Sequence, residues 1–145
     1  MIATDNRLTD EQVIEALNYY VPLLRVGDWD IDIKMDARGY DIGDRYAEVT
    51  MTACKRRATI RFARYDDIPP ECDPVDTELN LVHELIHISM GVVDHLVRDD
   101  ASDKALDTAI ENHVDALAGA FVQQRRAGGH RFSWEVESDG TSDVA

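Results

Sequence analysis

The sequence predicts an α+β fold in which helices pack on a small, twisted and mostly antiparallel sheet. Two observations predict this class: an amphipathic helix is followed by three segments with strand periodicity, and two long helical segments come only after them. Strands grouped before helices are typical of α+β domains. The 145 residues suit a single domain, expected over 1–136, and the acidic residues 137–145 are expected to form a disordered tail.

The first helix is expected over residues 9–26. Thr9 and Gln12 have the spacing of a capping box at its start, and apolar residues then recur at helical intervals, at Val13, Ile14, Leu17, Val21 and Leu24. Pro22 is expected to end or kink this helix late, because proline cannot donate a backbone hydrogen bond.

Three strands are expected next. Residues 29–35 (WDIDIKM) alternate strictly between apolar and charged side chains, which is typical of a half-buried strand. A turn rich in Gly and Asp over 37–44 leads to a second strand over 46–53, and a third is expected over 57–64. Residues 65–76 hold three of the four prolines and are expected to form an irregular loop.

The remaining elements are expected to be mainly helical. Asp76 or Thr77 can cap a helix that contains residues 79–90, and a second long helix is expected over 103–126. After two consecutive glycines, a short strand is expected at Phe132–Val136.

The charge balance disfavours two classes of partner. The net charge is −14, and such a surface repels phosphate backbones and anionic membranes, so we expect neither nucleic acid nor membrane as a partner. The two basic clusters, at 55–64 and 123–131, are short, and we interpret them as an exposed strand face and a helix C-terminus.

Composition also bears on the compartment. No apolar run approaches the ~18 residues of a membrane span, and residues 1–12 lack the charged-then-apolar order of a secretory signal. We therefore expect a cytoplasmic protein. Cys54 and Cys72 are isolated, without a CxxC pattern, and are expected to be free thiols in that compartment.

Residues 79–90 (LNLVHELIHISM) are apolar around most of a helical wheel, which predicts a buried helix. Burying His83, Glu84 and His87 in such a helix is costly unless something binds them. Together they form H-E-x-x-H, in which imidazoles at i and i+4 share one helix face and can reach a single zinc ion. Glu84 lies roughly 100° further round the helix, where it can take a proton from a water on the metal, whose pKa zinc lowers to ~7. The alternative is two core histidines and a chance glutamate.

A third ligand is needed, because a catalytic zinc site uses three protein ligands and leaves a fourth position open. The second long helix offers Glu111 and Asp115, which are four residues apart and would repel each other on an isolated helix. They lie beside an expected apolar stripe of Leu106, Ile110, Val114, Leu117 and Phe121. We expect Glu111 to bind the metal and Asp115 to accept the N–H of a metal-binding histidine. A solvated acidic face is the alternative.

This pattern resembles the gluzincin branch of zinc metallopeptidases, and above all its minimal members with a zincin-like fold. The motif, His83-Glu84-x-x-His87 followed by Glu111-x-x-x-Asp115 on another helix, covers only residues 79–122. The order of elements extends a looser resemblance over about 29–126.

The resemblance implies a ligand set and roles. His83, His87 and Glu111 would bind Zn²⁺, Glu84 would be the general base, and Asp115 would hold a ligand in place. It also implies that the edge strand above the active-site helix pairs with an extended substrate peptide, for which residues 57–64 or the segment just after them are the candidate.

One catalytic role has no assigned residue. Gluzincins use a His or Tyr to stabilise the oxyanion, and no motif here fixes which one. His113, His130, Tyr65 and Tyr40 are the candidates.

Two other metal-site patterns fit less well. The metzincin pattern requires Gly and His where this chain has Met90 and Val93. A zinc-dependent RNA-processing endonuclease pattern is echoed near Gly91, out of register by one residue at the glycine and two at the last histidine. It leaves Asp94 or His95 as an alternative third ligand.

We therefore expect a zinc-dependent metalloendopeptidase that acts on a protein or peptide. The alternative is a catalytically weak or inactive zincin-like domain that serves as a protein-binding module. A nucleic-acid hydrolase with the same metal chemistry would need a basic rim, which this composition lacks.

Overall fold

The computed structural model describes residues 5–39, 45–69, 74–91, 93 and 104–138. In chain order, its helices and strands are α1 (Asp10–Leu23), β1 (Asp30–Ala37), β2 (Ala47–Thr52), β3 (Arg57–Ala63), α2 (Thr77–Met90), α3 (Lys104–Gly128) and α4 (Ser133–Ser138). The expected α+β class is confirmed. Within these ranges, no helix has the length and apolar character needed to cross a bilayer. Cys54 is an exposed free thiol, whereas Cys72 and the expected tail beyond residue 138 lie outside the described residues.

Helix α1 begins as expected. Thr9 accepts a hydrogen bond from the backbone N–H of Gln12, and the Gln12 side chain accepts one from the backbone N–H of Thr9, so the capping box is present. The helix buries Val13, Ala16 and Tyr20 against the rest of the molecule and ends at Leu23, directly after Pro22.

The sheet is mixed, so the expected mostly antiparallel arrangement is wrong. In the described part of the chain its strand order is β1-β3-β2, with β1 parallel and β2 antiparallel to β3. Strand β3 takes the centre because it is the most apolar of the three, with buried Ala58, Ile60 and Phe62 on the face toward the helices. Strand β3 lies between β1 and β2, so these two strands do not pair with each other. The antiparallel pairing is between β2 and β3.

Helix α2 is the central helix and packs against α1, β2, β3 and α3. Its start is fixed by Asp76, whose carboxylate accepts the backbone N–H of Leu79 at 3.1 Å. It ends at Gly91, whose φ of +54° is easily adopted only by glycine. Its buried apolar residues face both the sheet and the other helices, as a helix that is apolar almost all round requires.

Helix α3 runs antiparallel to α2. Four residues of the expected apolar stripe lie in the core or pack against it, Ile110, Val114, Leu117 and Phe121, and the most buried line of the helix lies slightly to one side of that stripe. The buried positions are Val114, Ala118, Val122 and Arg125, whereas Leu106 in the expected apolar stripe is 42% exposed. The small side chain of Ala118 allows close approach of the two helices, so packing selects this line of residues over the larger ones beside it.

The strand expected at Phe132–Val136 is wrong, because residues 133–138 form the short helix α4. Side-chain contacts determine the helical start here. The Glu135 carboxylate accepts the backbone N–H of Phe132 at 2.9 Å, and Glu15 accepts both the N–H and the hydroxyl of Ser133. Tertiary contacts thus override the strand propensity of Phe132 and Trp134.

A buried ion pair joins the N-terminal end of α2 to the C-terminal end of α3. Arg125 donates two hydrogen bonds to the Glu78 carboxylate, at 2.6 and 3.0 Å, and both side chains are at most 2% exposed. Tyr20 donates to the same carboxylate at 2.6 Å, and Arg126 at 3.0 Å. The interpretation of residues 123–131 as an exposed helix C-terminus is therefore wrong for Arg125, which is buried.

The electrostatics of this network favour the charged form of Arg125. Burial disfavours the charge of Arg125, but the hydrogen bonds and negative charges of Glu78 and Glu135 outweigh it, so the pKa of Arg125 is raised. Burial, together with the hydrogen bond to Glu78, raises the pKa of Tyr20, so its phenol remains a neutral donor.

We predict that Arg125→Ala lowers the free energy of unfolding by about 3 kcal/mol, because it leaves the Glu78 carboxylate buried without its main partner. Arg126→Ala is the matched control, since its side chain is 37% exposed, and we expect a loss of about 1 kcal/mol or less. Urea unfolding at a fixed zinc concentration measures both. Equal losses in the two variants would show that the buried pair has no special role.

Candidate metal centre

The structure brings together the three side chains predicted to bind metal. His83 and His87 are one turn apart on the same face of α2, and Glu111 faces them from α3. The His83 Nε2 atom lies 3.1 Å from a Glu111 carboxylate oxygen, the His87 Nε2 atom lies 3.2 Å from the other, and the two Nε2 atoms are 3.2 Å apart. One ligand atom from each residue thus lies within 4.8 Å of the others.

Asp115 contacts the outer nitrogen of His83. The distance between His83 Nδ1 and the Asp115 carboxylate is 2.7 Å. Because a carboxylate only accepts, this bond places a hydrogen on Nδ1, and in a neutral imidazole the Nε2 atom then carries a lone pair. In the neutral form of His83, Nε2 and the Glu111 oxygen are thus two acceptors that face each other at 3.1 Å.

Two facing acceptors repel each other unless a cation or an extra proton lies between them. The observed separations suit zinc, because two atoms each about 2.0–2.1 Å from a tetrahedral centre are about 3.3 Å apart. Two imidazoles and one carboxylate are also a donor set that catalytic zinc sites use, with the fourth position left open. The residues present therefore fit the ion that the motif predicts.

Glu84 is 7% exposed and lies on the same cleft as the two histidines. The cleft has a volume of about 390 Å³. Four residues of α2 line it, and each lies three or four positions from at least one other, so together they cover one side of the helix: Asn80, His83, Glu84 and His87. Residues 45–49, which include the start of β2, form one wall, and Asp107 and Glu111 of α3 form the other.

The strand beside this cleft is not the one expected. Strand β3, the predicted edge strand at 57–64, is central and pairs on both sides. Strand β2 lies next to the cleft instead. It pairs with β3 along one edge, and in the described ranges no strand pairs with its other edge. The hydrogen-bonding groups of that edge are therefore the ones positioned to meet a bound peptide.

The described oxyanion candidates do not line the cleft. The Tyr65 hydroxyl donates to the Leu8 carbonyl at 2.9 Å, and the His130 ring stacks on Tyr19. His113 is exposed on α3. Tyr40 lies outside the described residues, as do Asp94 and His95, the alternative third ligands.

Among the described residues, Tyr46 is the tyrosine that lines the cleft, and sequence reasoning missed it. The signal was available only after the strand order was known, because Tyr46 directly precedes β2 and is brought to the cleft by the edge position of that strand. Arg45 lines the cleft beside it. These two side chains carry hydrogen-bond donors, whereas most other polar residues around the cleft are carboxylates.

Comparison of the chain with protein families, with curated proteins and with solved structures gave no match. The resemblance to gluzincins therefore stays a prediction that rests on the motif and on the side-chain geometry of this site.

We predict near-stoichiometric zinc in the purified protein and loss of that zinc in Glu111→Ala, because one of three ligands is removed. His113→Ala is the matched control: His113 is on the same helix but exposed, and its variant is expected to keep its zinc.

Asp115→Ala is expected to weaken zinc binding about 10–100-fold by releasing the His83 ring. Elemental analysis and chelator competition measure these effects. A Glu111 variant with full zinc content would overturn the ligand set.

Proposed function

We propose that this protein is a zinc-dependent metalloendopeptidase. The observation that supports this most strongly is the convergence of three potential ligand atoms, from His83, His87 and Glu111, in a cleft that also contains a buried glutamate. A structural zinc site is closed by four protein ligands and has no use for a nearby proton acceptor. Three ligands beside Glu84 are the arrangement expected of a hydrolytic site.

When bound, zinc supplies Lewis acidity and lowers the pKa of a coordinated water to about 7. Glu84 then acts as general base and later as general acid. Its carboxylate accepts a proton as water attacks the peptide carbonyl, and it returns that proton to the leaving amine as the C–N bond breaks. Its burial on the face of α2 that lines the cleft supports this role, because few water molecules compete for the carboxylate.

Strand β2 supports a peptide as the substrate. An extended peptide can add to the outer edge of β2 as a further strand, and main-chain hydrogen bonds then hold it over the polar face of α2. Residues 45–49 span about 16 Å at the rise of a strand, enough for roughly five residues of an extended substrate.

We predict that Glu84→Gln keeps its zinc and loses peptide hydrolysis by a factor of at least about 10³, because the amide cannot accept the proton. The substitution is nearly isosteric, so binding of metal and peptide is expected to persist. Cleavage of an unfolded protein such as denatured casein, followed by mass spectrometry, measures the loss. Equal cleavage by parent and variant would rule out the mechanism. A fully zinc-loaded parent that binds peptides without cleaving them would favour the binding-module alternative.

We also expect Tyr46 to stabilise negative charge on the carbonyl oxygen, since its phenol is at the cleft wall. Tyr46→Phe is predicted to lower kcat about 10²–10³-fold with little change in KM or zinc content. Tyr65→Phe removes a hydroxyl that bonds to Leu8 and lies off the cleft, so its kcat is expected to match the parent. Unchanged kcat in Tyr46→Phe would remove this residue from the mechanism.

A further inference from the structure

Asn80 is a polar residue of the cleft that the mechanism above does not use. It lies on α2 one turn before His83 and Glu84, on the same face of the helix, and lines the same cleft. Its side chain is half-buried, and among the described residues its carboxamide has no hydrogen-bond partner. Most of the other side chains of α2 are apolar and packed, and the carboxamide of Asn80 is available to a molecule that enters the cleft.

The antiparallel packing of α2 and α3 places Asn80 at one end of the cleft. Residue numbers rise along α2 as those of their contact partners fall along α3. The contacts are Glu78 with Arg125, His83 with Asp115, and His87 with Glu111. Asn80 therefore lies at the end of the cleft that faces the Glu78–Arg125 pair, and Asp107, which precedes Glu111, lies at the opposite end. The metal-binding atoms are between them.

The spacing on α2 sets how far Asn80 is from the reacting bond. Three residues of helix separate Asn80 from His83, a rise of about 4.5 Å, and an extended peptide advances about 3.3 Å per residue. The Asn80 amide is thus one to two substrate residues away from a peptide bond held at the metal. A carboxamide offers both donor and acceptor and carries no charge, which matches a main-chain peptide unit rather than a charged side chain.

Building on the proposed function, we infer that Asn80 binds the substrate main chain one to two residues from the scissile bond. The cleft then recognises an extended, unfolded polypeptide of at least about four residues, largely independently of side-chain sequence on the Asn80 side. Dipeptides would not reach this residue.

The test compares Asn80→Ala with the parent on two fluorogenic peptide libraries of mixed sequence, one of decapeptides and one of dipeptides. We expect kcat/KM for decapeptides to fall about tenfold, from the loss of one or two main-chain hydrogen bonds. Dipeptide turnover and zinc content are expected to be unchanged. Asn18→Ala is the matched control, because Asn18 is an exposed asparagine on α1, away from this cleft. Equal losses for both peptide lengths, or no loss for either, would overturn the inference.

A binding measurement separates this inference from the proposed function. In zinc-loaded Glu84→Gln protein, the additional change Asn80→Ala is expected to weaken decapeptide binding about tenfold by calorimetry, whether or not the parent hydrolyses peptides. Unchanged affinity in the double variant would contradict the role of Asn80 in binding without contradicting the proposed function. If the unsubstituted protein binds peptides through Asn80 but does not hydrolyse them, only the proposed function is contradicted.

Discussion

The buried pair between Glu78 and Arg125 is the constraint on which the arrangement of α2 and α3 depends. It fixes the N-terminal end of α2 against the C-terminal end of α3, and neither charge can leave its partner without remaining buried and unpaired. With that end fixed, the antiparallel packing brings Glu111 opposite His83 and His87, some 14 residues back along α3. A rotation of α3 that broke the ion pair would also carry Glu111 away from the histidines. The polar network beyond one end of the cleft thus contributes to the geometry within it.

Helix α2 therefore lies in the hydrophobic core and also carries ionisable side chains, although burial usually disfavours charge. Its apolar residues make it the centre of the hydrophobic core, whereas its ionisable residues lie on the face toward α3 and the cleft. The core holds the backbone of α2 rigidly, so the two imidazoles keep their orientation, and the hydrogen bond from His83 to Asp115 selects the tautomer. Preorganisation of this kind is what a metal site needs to select coordination geometry, since few of its side chains are free to rearrange.

The sequence was sufficient to predict structural features that depend on neighbouring residues. It was not sufficient to predict features that depend on contacts between distant segments. The capping box at Thr9, the N-cap at Asp76 and the alternation in β1 each depend on neighbours within a few residues, and all three are present. The spacing of H-E-x-x-H likewise determines that His83 and His87 share a face. The central position of β3 and the burial of Arg125 depend on contacts between distant segments, which periodicity does not encode. The helix at 133–138 formed for the same reason, through Glu15 and Glu135.

The open edge of β2 has a further consequence, for the behaviour of the protein at high concentration. An edge that no described strand pairs with can accept a strand from a second copy of the chain, which is the first step of ordered aggregation. Two properties oppose this: β2 has only six residues, and a net charge of −14 makes the copies repel. That protection is electrostatic, so it weakens as salt screens the charge or as the pH approaches the isoelectric point near 4.5. The strand that we propose to bind peptides is therefore also one on which colloidal stability depends.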